Sequence, residues 1–258
     1  MLNNKTCYAI IFASLTSLAL ARPGVAARPP ERLPFDISAT QLTLRLGPIQ
    51  GRATVIGVTG DTLTVLTAAH FLTGDNAAGK TVVIRRPGGD LCGRVVAVSA
   101  NPHFKAGRSD KQRDSPALGT IGVDTSIAFI KVTPLDEDDR RIFDAIKPAE
   151  LTRHPVPVGR DQIVSVHIVD QFDEEHVVRA GNHLNPKCLA WGRGGYDTRP
   201  GDSGSGVFIV RRTPEGAPQV LLIGTVSQTD DRGGIASLAY RDDPWVQKAI
   251  ESQRADAD

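Results

Sequence analysis

The chain has 258 residues, 40% of them apolar and 23% charged, a globular balance that excludes a disordered, collagen-like or coiled-coil chain. Lys and Arg number 30 against 29 Asp and Glu, for a formal charge of +1, and aromatics make up 5%, so neither a basic surplus nor a base-stacking platform argues for nucleic acid. Gly and Pro number 25 and 17, roughly one residue in six, which favours many turns and short strands over long helices.

Residues 1–21 carry a single charge at Lys5, then an apolar run that ends Ala19-Leu20-Ala21. This is the pattern of a secretory signal peptide, with an N-terminal anchor as the alternative. The run is shorter than the ~20 apolar residues of a membrane span. No second candidate follows it, so a secreted or periplasmic chain with no membrane span after signal removal is expected. Residues 22–40 open Pro- and Arg-rich and read as an extended tether.

Residues 41–47 alternate Leu42, Leu44 and Leu46 with polar neighbours, the pattern of a half-buried strand. Residues 53–58 and 62–67 are β-branched runs joined by Thr59-Gly60-Asp61, a hairpin signal. Two more strands are expected over 80–86 and 93–99, broken by Pro87-Gly88-Gly89-Asp90, and another over 127–132. A polar loop covers 105–114. Residues 134–148 read as a short helix or a linker, and the boundary between two halves, 41–140 and 141–258, falls there. The second half repeats the style, with strands expected over 162–170, 177–180, 206–211, 219–227 and 234–240. Trp245, Val246, Ala249 and Ile250 then give an amphipathic helix over 245–252. Many short strands between turn signals point to an all-β sandwich or pair of barrels. Cys7 leaves with the signal. Cys92 and Cys188 are either bridged, as export allows, or two separate buried thiols, and their spacing is no metal pattern.

Two short motifs carry chemistry. In Val65-Leu66-Thr67-Ala68-Ala69-His70 a β-branched strand ends in two small residues and a histidine. In Arg199-Pro200-Gly201-Asp202-Ser203-Gly204-Ser205-Gly206 glycines surround a serine ahead of an apolar strand. A serine hydroxyl becomes a nucleophile when an imidazole takes its proton. Glycines beside it let backbone N–H groups converge where an oxyanion would form.

Together, in the order His then Ser, these motifs resemble the T-A-A-H and G-D-S-G signatures of the chymotrypsin/trypsin-like serine peptidases. The resemblance extends to Gly224-Thr225-Val226-Ser227 and Pro244-Trp245-Val246. It implies two six-stranded antiparallel β-barrels with a short C-terminal helix, the first barrel over 41–140 and the second over 141–258. It implies an exported endopeptidase acting on protein or peptide substrates, with no metal and no organic cofactor. His70 is then the general base, Ser203 the nucleophile, and the N–H groups of Gly201 and Ser203 the oxyanion hole.

The third triad member departs from the family pattern. Aligned without gaps, Ser126 stands in the Asp slot, and Asp124 lies two residues earlier, on the same face of a strand. A bulge there would present Asp124 to His70, and Asp124 is the expected residue. The alternative is a catalytically impaired, peptidase-fold binding protein in which Ser126 occupies the slot. The family's activation motif, a new N-terminus of the Ile-Val-Gly-Gly type, is not visible. Asp202 must therefore find another partner, an Arg or a backbone donor. Asp197 stands six positions before Ser203, where the trypsin branch binds Arg or Lys. Ser227 and Gly234 match pocket-wall positions.

Overall fold

The computed structural model describes residues 33, 35–46, 49–72, 79–86, 89–102, 127–158, 162–181, 187–192, 196–230 and 233–254. The expected signal peptide, residues 22–32 of the tether, the polar loop, and both Asp124 and Ser126 lie outside them. Residues 33–258 form one compact unit. No helix among the described residues is long and apolar enough to cross a membrane.

The first six strands are β1 (Gln41–Leu46), β2 (Ile49–Thr59), β3 (Thr62–Thr67), β4 (Thr81–Arg86), β5 (Gly89–Ala100) and β6 (Ala128–Pro134). They close into an antiparallel barrel in the order β1-β2-β3-β6-β5-β4. The second six are β7 (Ile163–Val169), β8 (Glu175–Gly181), β9 (Cys188–Gly192), β10 (Gly206–Arg212), β11 (Pro218–Asp230) and β12 (Gly233–Leu238). They close in the order β10-β11-β12-β9-β8-β7, the same path traced from the other end. The expected pair of six-stranded antiparallel barrels is therefore what forms.

The β2–β3 hairpin turns through Gly60 and Asp61, with Gly60 at φ +53°, where a residue without Cβ fits best. Register shifts at Val55/Gly57, Val95/Ala97 and Val226/Gln228 curve the long strands β2, β5 and β11, as barrel closure requires. β9 is the strand that the sequence reading missed.

Residues 137–144 form a helix, α1 (Glu137–Asp144). The Asp136 carboxylate accepts the Asp139 N–H at 2.9 Å, and three acidic residues occupy the first turn, where the helix dipole favours them. Phe143 and Ile146, beyond the expected boundary at 140, pack into the first barrel's core with Leu42, Val65 and Val132. The second barrel holds its own core of Val166, Val178, Leu189, Val207 and Ile223. A third apolar cluster joins the two barrels: Leu66 and Phe129 from one, Val169, Phe208 and Leu222 from the other, and Val246 and Ala249 from the closing helix α2 (Pro244–Arg254). Cys92 lies on β5 and Cys188 on β9, in different barrels, and they form no disulfide. They are the two separate thiols expected, with Cys188 buried and Cys92 only partly so.

Candidate active site

His70 sits in a single 3-10 turn, Ala69–Leu72, directly after β3. Ala68 and Ala69 are fully buried and His70 is half-buried, so two small residues let the strand end dive into the protein before the imidazole emerges. Ser203 sits in the turn that leads into β10. It is half-buried, whereas Asp202, Gly204 and Ser205 beside it are buried.

One residue of β2 joins the two turns. The Arg52 N–H donates to the Ser203 carbonyl at 2.7 Å. The Arg52 carbonyl accepts the Thr67 hydroxyl at 2.6 Å, three residues before His70. Gly204 makes this approach possible: a Cβ there would lie 1.8 Å from the Arg52 carbonyl oxygen and 2.7 Å from Thr67 Oγ1. Its φ of +92° is also left-handed, so glycine is required twice over. A second tie runs from the Gly206 N–H to Gln41 Oε1 on β1 at 3.0 Å.

Arg52 is itself an ion-pair residue that the sequence reading missed. Its side chain is 1% exposed. It donates to Thr43 Oγ1 and to Asp173 Oδ1, each at 2.7 Å. Asp173 belongs to the β7–β8 turn, so the guanidinium bridges the barrels close to Ser203. Asp173 holds φ +65°, a conformation Asp tolerates better than most residues.

The partner expected for Asp202 is answered by neutral donors. The carboxylate is fully buried. Oδ2 accepts the Tyr196 hydroxyl and the Arg199 N–H, each at 2.6 Å, and Oδ1 accepts the Gln171 N–H at 3.0 Å. Of the two anticipated solutions the backbone donor is the one used, and Tyr196 joins it. Burial, and then the hydrogen bond to Asp202 and its charge, raise the Tyr196 phenol above its ordinary 10.0, so it stays a donor through neutral pH.

His176 stacks on Tyr196 with centroids 4.1 Å apart, and its Nε2 pairs with Asp170 Oδ2 at 2.9 Å. Burial alone would raise the Asp170 carboxyl. Hydrogen bonds from His176 and from the N–H groups of Glu174 and Phe172 outweigh it and hold the group below its ordinary 3.8. Asp170, Glu174 and His176 are near enough together to meet one metal ion, but Asp170 already spends both oxygens on these hydrogen bonds.

Beside Ser203 two backbone N–H groups, those of Gly201 and of Ser203 itself, stand without an acceptor among the described residues, whereas those of Asp202, Gly204 and Ser205 are all engaged. Gly201 stands at φ +107°. Two N–H groups left unspent, two residues apart and beside a hydroxyl, can receive negative charge growing on an oxygen.

The expected pocket residues fall on neighbouring segments. Ser227 lies in the β11 bulge, buried, donating to the Ile235 carbonyl at 3.3 Å and accepting from Ser237 Oγ at 2.8 Å. Gly234 pairs across β12–β9 with Trp191, and a Cβ on it would lie 2.3 Å from the indole and 2.7 Å from Thr198 Oγ1. Thr198 Oγ1 donates to the Gly233 carbonyl at 3.1 Å, which fixes the 196–199 segment against β12. Asp197 is exposed, between buried Tyr196 and Thr198.

No protein-family model and no curated protein matches the sequence. Among solved structures the chain is similar to the scabies mite inactivated protease paralogue S-I1, at 14% identity and TM-score 0.55 over 84% of this chain and 96% of that one. It is also similar to the Rv3671c protease of M. tuberculosis in its active form, at 16% identity and TM-score 0.45, covering 85% of this chain and 81% of that one. A serine protease of a human pathogenic astrovirus stands at 17% identity and TM-score 0.44, covering 80% of this chain and 91% of that one. The fold is that of the chymotrypsin-like peptidases.

Proposed function

We propose that the protein is an exported serine endopeptidase. Ser203 Oγ attacks a peptide carbonyl while His70 takes its proton. The tetrahedral oxyanion is received by the N–H groups of Gly201 and Ser203. His70 then returns the proton to the leaving amine, and water, activated by the same imidazole, releases the acyl group and restores Ser203. Asp124 is the residue proposed to orient His70. The observation that carries this reading is the backbone of Arg52, bonded on one side to the turn of Ser203 and on the other to the strand that delivers His70. Residues 1–21, with their signal-peptide pattern, support export to the periplasm or beyond.

A preference for Arg or Lys is supported by Asp197, whose carboxylate would meet a cationic side chain with a charge-assisted hydrogen bond. Its exposure keeps that contribution small. The ratio of Arg and Lys over Leu cleavage, measured again in Asp197→Asn, reads it directly.

The test of the peptidase reading is a fluorophosphonate probe on the purified mature chain near pH 8, with the adduct located by peptide mapping. Labelling at Ser203 that is lost in His70→Ala is the expected result. A folded chain that stays unlabelled and still binds peptides refutes the endopeptidase and leaves the binding-protein reading.

A further inference from the structure

The Gly201 N–H belongs to the Pro200–Gly201 peptide, the central peptide of the turn Arg199–Asp202. That turn is closed by the Asp202 N–H on the Arg199 carbonyl at 3.0 Å. Pro at the second position and Gly at φ +107° in the third are the pattern of a type II turn. Types I and II share their ends and differ by a rotation of the central peptide. That rotation would reverse the direction of the Gly201 N–H. Because a trans peptide holds its N–H and C=O on opposite sides, whatever anchors the Pro200 carbonyl also aims the Gly201 N–H.

Gln171 anchors that carbonyl. Its Nε2 donates to the Pro200 oxygen at 3.1 Å. Its Oε1 lies 2.6 Å from where a Cβ on Gly201 would stand, so the carboxamide lies against the bare face of the glycine. Its backbone N–H holds the next residue, Asp202, at 3.0 Å. Gln171 in turn sits on a fixed support. The Asp170 carboxylate accepts the Phe172 and Glu174 N–H groups at 2.8 and 2.9 Å, and Asp173 is tied to Arg52 at 2.7 Å.

We infer that Gln171 is a positioning residue whose carboxamide sets the orientation of the Pro200–Gly201 peptide and so aims the oxyanion-binding N–H of Gly201. This rests on the reading of Ser203 as nucleophile. The hydrogen bond to the carbonyl also polarises the peptide and strengthens its N–H as a donor.

The test compares wild type with Gln171→Met, which keeps the length without the donor, and Gln171→Glu, which sets a charged acceptor against the Pro200 oxygen. Three quantities are measured on the full mature chain: kcat and KM on a fluorogenic peptide, the Ki of a peptide aldehyde that forms a tetrahedral adduct, and the Kd of a product peptide in a Ser203→Ala background. Loss of a whole oxyanion donor costs about 10²–10³ in kcat, so loss of its aim is expected to cost about 10- to 100-fold in both variants. KM and product Kd stay within about twofold, and the aldehyde Ki rises in step with the fall in kcat/KM. A wild-type chain that neither turns over peptide nor labels at Ser203 overturns the nucleophile reading, and the role of Gln171 with it. An active wild type matched by Gln171→Met in kcat overturns the inference alone. So does a variant in which product and aldehyde affinities fall together, since that marks a loosened fold. If Gln171→Glu fails to fold, Gln171→Met, which adds no charge, decides the matter.

Discussion

Tyr196→Phe removes one oxygen from a closed site. Asp202 is 0% and Tyr196 7% exposed, and the phenol meets the carboxylate at 2.6 Å. Without the hydroxyl, Oδ2 keeps only the Arg199 N–H at 2.6 Å, and water has no access to make up the loss. A hydrogen bond to a charged group contributes about 1.5–3 kcal/mol. Phe preserves the ring that stacks on His176, so packing changes little. The expected loss is about 2–3 kcal/mol, or about 4–12 °C in Tm for a body of about 200 residues. Guanidinium unfolding followed by tryptophan fluorescence measures it. The pH dependence gives an independent check. The folded phenol titrates above its ordinary 10.0, so wild type has the full contribution below about pH 10 and loses it as pH rises further. The difference between wild type and Tyr196→Phe therefore narrows above pH 10. A variant within about 0.5 kcal/mol of wild type at pH 7, or a gap that stays constant into alkali, refutes the reasoning.

Gly204→Ala places a methyl 1.8 Å from the Arg52 carbonyl oxygen at a φ of +92°. We expect more than about 3 kcal/mol of destabilisation and no labelling of Ser203, both measurable on one preparation; a stable, reactive variant excludes the close approach. Asp124→Asn is expected to lower kcat by about 10³–10⁴-fold and Ser126→Ala by less than about tenfold, and kinetics that rank them the other way make Ser126 the orienting residue. Asp170→Asn tests the support beneath Gln171. The lowered Asp170 carboxyl stabilises wild type above its ordinary titration range, and this contribution disappears as acid protonates it. Wild type should exceed the variant by about 1–2 kcal/mol at pH 6 and lose that lead as the pH falls below about 3.8, so parallel acid-unfolding curves contradict the assignment.

What the sequence discloses and what it conceals divide along physical lines. The Gly60-Asp61 hairpin was legible because its turn chemistry is local, and the strands of the first barrel because Leu alternation marks β1 and β-branched residues recur in the others. β9 was not, since Cys-Leu-Ala-Trp-Gly contains no β-branched residue. His70 and Ser203 stood out because small residues and glycines mark close approach even without coordinates. Arg52, Gln171 and Tyr196 gave no such sign. An Arg in a strand and a Gln in a polar turn usually face water, and only the closing of both barrels buries one and aims the other. The need at Asp202 was visible in advance, but nothing in the sequence marks the phenol six residues upstream as its partner.

The two barrels follow one strand path, and His70 and Ser203 occupy the same connection in each, between the third and fourth strands: His70 after β3 and Ser203 after β9. In the proposed mechanism each of these two similar halves contributes one reagent. Each barrel closes its own hydrogen-bond circuit around its own core, and a shared apolar cluster and the Arg52–Asp173 pair hold one against the other. For the proposed peptidase, a slide of the halves by about 1 Å would cost about 10²-fold in rate, with every strand still paired. The proposed activity is then a property of alignment, and it would give way before the architecture does.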